Sequence, residues 1–476
     1  MLTVGTFAQM PPTPFTPSGA APGIVVAFVL LDVVLILVAA RLCGAVARKV
    51  GQPAVVGEIV AGVLLGPSLL GPTLFKLSNP PEFLHCDLTN PATNPDGSPF
   101  VASVSSCLFP AQARGTLGIL GQIALIFFMF LVGIEVNARS LRGKEKGIGL
   151  VSIGVVVVPV LLAFAISPIL WKADFVPDFG GPTAPNRLGF TLFVGAMLTV
   201  SAFPVMARIL QEKGLTTSPM GAIGVASAGV VTVLMFLIIA TADGVAKEKD
   251  VIDIGRVWVI TAVYLALMLL VVKRLLAPLG RVYERAGTIT PDMFAIFIGV
   301  AVASGYVADR IGINVIVGGF MAGLVIPEPR KEIWREMSGK IGDLTAIVLL
   351  PIFLAFSGLA TDFTKLSVAA LPGIAALLVA AVVGKLVGGA VFARLGGLSW
   401  AEGTVLGVLL NCRGLLVLVA ALVAVNAGAI SPLLQLGGVV VALVTTAMTG
   451  PLFDATIKRV PTPDEPEPEP LATTTD

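Results

Sequence analysis

Few residues in this 476-residue chain can do chemistry, and they sit in unusual places. Lys385 and Arg413 lie inside apolar runs, and Asp32 lies midway along another. Ionisable side chains at such depth are costly in a bilayer and mark ion paths, proton relays or paired structural charges. A lysine held away from water can give up its proton, so Lys385 is a candidate proton carrier. Arg413 stays charged; bracing the free carbonyls of a broken helix and contacting a substrate are both open to it. Asp32 has no charged neighbour in sequence. It is a second proton-coupling candidate, as an acid that pairs with Lys385 or binds the proton, or else a protonated group at a subunit contact. Thr199, Ser201, Ser227, Thr232 and Asn411 supply the neutral oxygens that a dehydrated monovalent ion needs. Each alone is more often a helix-helix hydrogen bond, but together they form the substrate-contact candidates.

Other chemistries are excluded. His85 is the lone histidine, so no His-rich metal centre is expected. Phosphate loops, HExxH, CxxC pairs and nucleophile elbows are absent, so the chain reads as no enzyme and as needing no cofactor. Its net charge of +2 comes from basic residues in short loops and does not point to nucleic acid. Cys86 and Cys107 share one long loop and can pair if it faces an oxidising space. Cys43 and Cys412 stand in apolar surroundings and read as packing residues.

The elements that must position these groups are membrane helices. The chain is 56% hydrophobic and 13% charged, with a mean hydropathy of +0.96. That composition predicts an all-α polytopic membrane protein in contact with lipid. Thirteen apolar segments are expected near 23–43, 53–71, 115–137, 148–170, 189–210, 220–242, 256–273, 291–308, 312–327, 344–360, 367–393, 402–425 and 433–453. They make one transmembrane domain over 23–453. Residues 1–22 and the Pro- and acid-rich 454–476 read as disordered ends. Of 31 basic residues, twenty fall in alternate connections and the C-terminal tail, nine on the other side, and Lys385 and Arg413 at depth. The positive-inside rule then places the N-terminus outside and the C-terminus in the cytoplasm, with a multi-pass cell membrane location expected. The loop holding Cys86 and Cys107 is external in this orientation.

Two segments carry polar breaks. Gly195 to Ala242 is interrupted by Ser201 and Pro204, and the twelfth segment by Leu410-Asn411-Cys412-Arg413-Gly414. Broken membrane helices persist where they line a protein cavity, and transporters put their ion sites there. An internal repeat relates them. Val56-Gly57-Glu58-Ile59-Val60-Ala61-Gly62 matches Val317-Gly318-Gly319-Phe320-Met321-Ala322-Gly323, and Phe128…Gly133-Ile134 matches Phe353…Gly358-Leu359. Repeats seven segments apart run in opposite directions, so the fold is expected to hold two inverted repeats with two crossing broken helices.

At GQPAVVGEIVAGVLLGPSLLG (51–71), GQIALIFFMFLVGIEVN (121–137), SAFPVMARIL (201–210), FLAFSGLATD (353–362), NCRGLL (411–416) and TTAMTGPLFD (445–454) the chain resembles the monovalent cation:proton antiporter superfamily. The likeness is to the sodium/hydrogen exchanger domain, Kef-like branch, and runs from about Gly23 to Phe453. It implies a homodimer whose scaffold is the first three and the eighth to tenth helices. The fourth to sixth and eleventh to thirteenth would form a mobile core. It implies exchange of Na⁺ or K⁺ for H⁺ by alternating access. Lys385 matches the family lysine of the eleventh helix, and Glu58 and Glu135 match motif positions near helix ends. The family acid of the sixth helix is missing, since Ala226-Ser227-Ala228-Gly229-Val230 stands there, and Val417 stands near the usual twelfth-helix glutamate. Alternatives on the same fold are a carrier of an anion or organic acid and a channel-like or sensory relative without coupled transport.

Overall fold

The computed structural model describes residues 22–52, 54–71, 75–77, 102–135, 145–172, 174–180, 184–202, 206–207, 209–210, 219–248, 250–359, 363–413 and 416–460. Helices dominate. We label the main ones α1 (Pro22–Lys49), α2 (Ala54–Leu65), α3 (Ala111–Glu135), α4 (Glu145–Leu170), α5 (Arg187–Thr199), α6 (Pro219–Ala246), α7 (Val251–Ala266) and α8 (Lys273–Ala286). The second half holds α9 (Pro291–Arg310), α10 (Val315–Leu324), α11 (Arg330–Met337), α12 (Leu350–Leu359), α13 (Leu371–Leu395), α14 (Trp400–Leu410), α15 (Leu416–Asn426) and α16 (Pro432–Ile457). Among the described residues eight helices are long and apolar enough to cross a membrane, nine if the bent pair Arg330–Gly342 and Leu344–Phe356 is one span. Each of the thirteen expected segments coincides with one of these helices or with a shorter apolar one.

Local chemistry sets the helix starts. Asn186 caps α5 by accepting from the Leu188 amide at 2.9 Å. Ser399 and Glu402 close a capping box on α14, at 3.1 Å and 2.8 Å. Thr290 caps α9 ahead of Pro291, which fits the first turn because its missing N–H is not needed there. Outward faces stay apolar: Val26, Leu30, Val34, Val38 and Leu42 recur at helical spacing along α1 and are all exposed, as a lipid-facing stripe must be.

Packing divides the helices into two groups. α4, α5, α6 and α13 to α16 pack mainly among themselves, as do α1, α2, α3, α9, α10 and α12; α6 and α10 meet across only a narrow contact. This is the division into core and scaffold that the resemblance implies. The repeat also shows as a swap of partners. α2 packs on α12, and its counterpart α10 packs on α3. Both crossings are backbone-close. A Cβ on Gly323 would collide with the Phe130 carbonyl, so only glycine permits the approach of α10 to α3.

Arg330 locks that second crossing. Its guanidinium donates to the Gly133 carbonyl at 2.7 Å, Leu324 at 2.9 Å, Gly323 at 3.0 Å and Ile134 at 3.3 Å. The acceptors are terminal carbonyls of two helices, which lack donors of their own. Arg330→Ala is expected to cost about 2 kcal/mol of stability, read as a lower thermal unfolding midpoint in detergent. Lysine should restore part of it, since one ammonium cannot span both helix ends.

Candidate functional site

α5 stops at Thr199 because Val200 leaves helical geometry, at φ −46° and ψ 132°. The chain is non-helical through Ser201 and Ala202, and the Met206 amide then reaches the Ala202 carbonyl at 2.8 Å. α14 stops at Leu410, and Asn411 to Arg413 are irregular before α15. Pro204 and Gly414 lie outside the described residues. The two breaks touch. The Ala202 amide donates to the Cys412 carbonyl at 2.7 Å, and the Ser201 hydroxyl donates to the Leu410 carbonyl at 2.8 Å.

α13 delivers Lys385 into this crossing, with no exposed surface. Its Nζ donates to the Thr199 carbonyl at 2.5 Å and to the Ser201 hydroxyl at 2.8 Å. Arg413 is equally buried. One terminal nitrogen donates to the Met197 carbonyl at 2.9 Å and to the Leu198 carbonyl, the other to the Ala381 carbonyl at 2.8 Å. Met197, Leu198 and Thr199 are the last carbonyls of α5, and a helix C-terminus carries partial negative charge. Both cations therefore sit where an interrupted helix favours them.

The remaining candidates separate. Among the described residues Asn411 is buried with both amide atoms unpaired, and the Ser227 hydroxyl is buried and unpaired. The Thr199 hydroxyl is spent on the Gly195 carbonyl at 2.8 Å, so its backbone carbonyl is what meets Lys385. Thr232 bonds the Ala228 carbonyl at 2.8 Å and lines an apolar cavity of about 640 Å³ between α4, α6, α7 and α10. Gly229 lines the same cavity, and a Cβ there would lie 2.8 Å from the Phe320 ring. Where the resemblance implies a carboxylate, α6 meets a phenyl group from α10.

Asp32 is not at the crossing. α1 packs on α2, α3 and α12, and the charged neighbour of Asp32 is Arg114 at the start of α3. The Arg114 Nε donates to the Phe109 carbonyl at 2.7 Å. Because α1 packs on those scaffold helices and not on α13, Asp32 is not a partner of Lys385; with no exposed surface, it is not displayed for a subunit contact. Sequence reading missed Arg114 because it falls just outside the apolar segment, where a charge looks solvated. It missed Phe320 because a ring in an apolar run reads as core.

Glu58 is buried and partnered, and the Glu135 side chain lies outside the described residues. Cys107 is disulfide-bonded, Cys43 and Cys412 are free thiols, and Cys86 is outside the described residues. No group of three or more metal-binding side chains occurs among the described residues.

The crossing thus holds one titratable cation on neutral oxygens beside one permanent cation. Residues 35–458 match the family described as sodium/hydrogen exchanger, transmembrane. The Na⁺/H⁺ antiporter NhaS4 of Synechocystis sp. is 32% identical over 91% of this chain and 98% of its own length. K⁺/H⁺ antiporter 1 of Saccharomyces cerevisiae is 27% identical over 89% of this chain and 46% of its own. The solved structure of the sodium proton antiporter MjNhaP1 from Methanocaldococcus jannaschii shares the fold, with a TM-score of 0.58 at 15% identity over 91% of this chain and 97% of that one. With its inverted repeats, its crossed broken helices and these matches, the chain belongs to the sodium/hydrogen exchanger family.

Proposed function

We propose that the protein exchanges a monovalent cation, Na⁺ or K⁺, for H⁺ by alternating access, and that Lys385 carries the proton. The carrying observation is the Lys385 ammonium resting on the Thr199 carbonyl and the Ser201 hydroxyl at the meeting of two broken helices. Neutral oxygens at this spacing also suit a dehydrated cation. Loss of the Lys385 proton turns a tethered cation into a neutral amine and frees those oxygens. A free cation then takes the place of the ammonium, and reprotonation expels it. One positive charge occupies the site in either state, so exchange needs no carboxylate in α6. Antiport of Na⁺ and K⁺ by the relatives named above supports this direction.

The scaffold helices serve as the dimer contact and the core helices move against them. The N-terminus lies outside and the C-terminus in the cytoplasm of a cell membrane, a reading supported by the loop charges and by the disulfide of Cys107. The test is purified protein in liposomes with a pH dye inside. Sodium or potassium pulses are expected to alkalinise the lumen; an internal pH that ignores both across neutral and alkaline conditions removes the proposal. A second reading, organic-anion transport, is favoured by two buried cations with no acid beside them. It requires uptake of a labelled organic acid that fails in Lys385 and Arg413 variants.

A further inference from the structure

Among the described residues the crossing contains two cationic side chains and no acidic one. From Arg187 to Leu210, Pro219 to Ala242, Leu371 to Leu395, Gly403 to Asn426 and Pro432 to Phe453 the sequence holds no Asp or Glu. Arg413 and Lys385 are wholly buried and donate to the adjacent carbonyls of Leu198 and Thr199. The C-terminal ends of α5 and α14 offset part of this, at about half a charge each. The positive N-terminal end of α15, three residues after Arg413, works against them. About one and a half positive charges are left over when Lys385 is protonated. An uncompensated buried charge is far costlier than a paired one.

The same place carries unused donors. Among the described residues the Arg413 Nε and both amide atoms of Asn411 are buried with no hydrogen-bond partner. Lys385 spends two of its three N–H bonds on Thr199 and Ser201. Arg413 and Asn411 stand two residues apart on the α14–α15 break. Surplus positive charge with spare N–H donors is the chemistry of an anion site.

We propose that the crossing binds one small inorganic monovalent anion on Arg413 and Asn411, as a resident counter-charge for Lys385. The inference deepens the exchange reading for the same site. The anion stays while H⁺ and the cation replace each other, supplying the negative charge that the side chains lack. Val417 gives a way to test this. Gly438 packs between Val417 and Met197, the residue whose carbonyl accepts from Arg413. A glutamate at 417, four residues after Arg413 near the start of α15, tests whether a tethered carboxylate can replace the anion.

Thermal unfolding of the purified full-length protein in chloride and in gluconate, at equal ionic strength, reads anion binding without reference to transport. Wild type is expected to show saturable chloride stabilisation, Asn411→Leu to need about tenfold more chloride, and Val417→Glu to ignore it. In liposomes, replacing chloride by gluconate on both sides should slow wild-type exchange about tenfold or more and leave Val417→Glu unchanged. Equal unfolding of wild type in both salts overturns the anion site, as does an unaltered chloride response in both variants. If Val417→Glu does not fold, the Asn411→Leu titration decides alone. Chloride stabilisation in a protein that moves no cation keeps the anion site and removes the exchange reading.

Discussion

Lys385→Ala is expected to abolish cation-driven proton movement, to at least about 100-fold below wild type. The Thr199 carbonyl and Ser201 hydroxyl lose the donor that holds them at 2.5 Å and 2.8 Å. The site also loses the group whose charge alternates with that of the cation. Lys385→Arg separates these roles. A guanidinium can reach the same oxygens but does not release its proton at working pH. It should preserve folding and fail at exchange. The sign of the pH effect follows from competition: cation binding strengthens as pH rises, because the ammonium must lose its proton before the oxygens are free. In Lys385→Ala, any residual cation binding should lose this dependence. The checks are the dye assay and cation titrations at several pH values, and exchange retained in Lys385→Arg would remove proton release from the mechanism.

Arg413→Ala is expected to cost the fold more than any other single change at the crossing. Three carbonyls, of Met197, Leu198 and Ala381, lose their shared donor inside the protein. Leaving buried acceptors unpaired costs about 1–3 kcal/mol each, so a loss of about 3 kcal/mol or more is expected. Lysine should recover only part of it, because one ammonium cannot serve both α5 and α13. Thermal unfolding in detergent reads this directly. An unchanged midpoint would mean that the α5 carbonyls find other donors and that Arg413 does not hold the broken helix to α13.

Much of the architecture is legible in the chain because its rules act locally. A bilayer demands long apolar helices, so segment positions follow from hydropathy. Helix interruption follows from polar residues within apolar runs, which is why 201–204 and 410–414 stand out. The repeat could be read from two short glycine motifs, since backbone-close crossings such as that at Gly323 tolerate no side chain. The chemistry is less legible because it depends on pairs distant in sequence. Lys385 meets residues nearly two hundred positions away, and it meets the carbonyl of Thr199 rather than the hydroxyl that makes threonine conspicuous. Asp32 illustrates the opposite case. Its depth is plain from the sequence, but its charged neighbour Arg114 belongs to another helix, so its separation from Lys385 appears only once α1 is packed. The missing acid of α6 is visible in the sequence. That a ring from α10 faces the same spot is a property of the packed structure.

Competition between the Lys385 ammonium and a free cation for one set of oxygens is the central claim. Thallium is a heavy monovalent cation that can be located by its anomalous scattering, so diffraction from crystals soaked at acid and alkaline pH tests the claim directly. The expected result is a thallium peak within about 3 Å of the Thr199 carbonyl and the Ser201 hydroxyl at alkaline pH, with Nζ withdrawn, and no peak at acid pH. Thallium bound beside Asp32 instead, or bound at the crossing equally at both pH values, would contradict it.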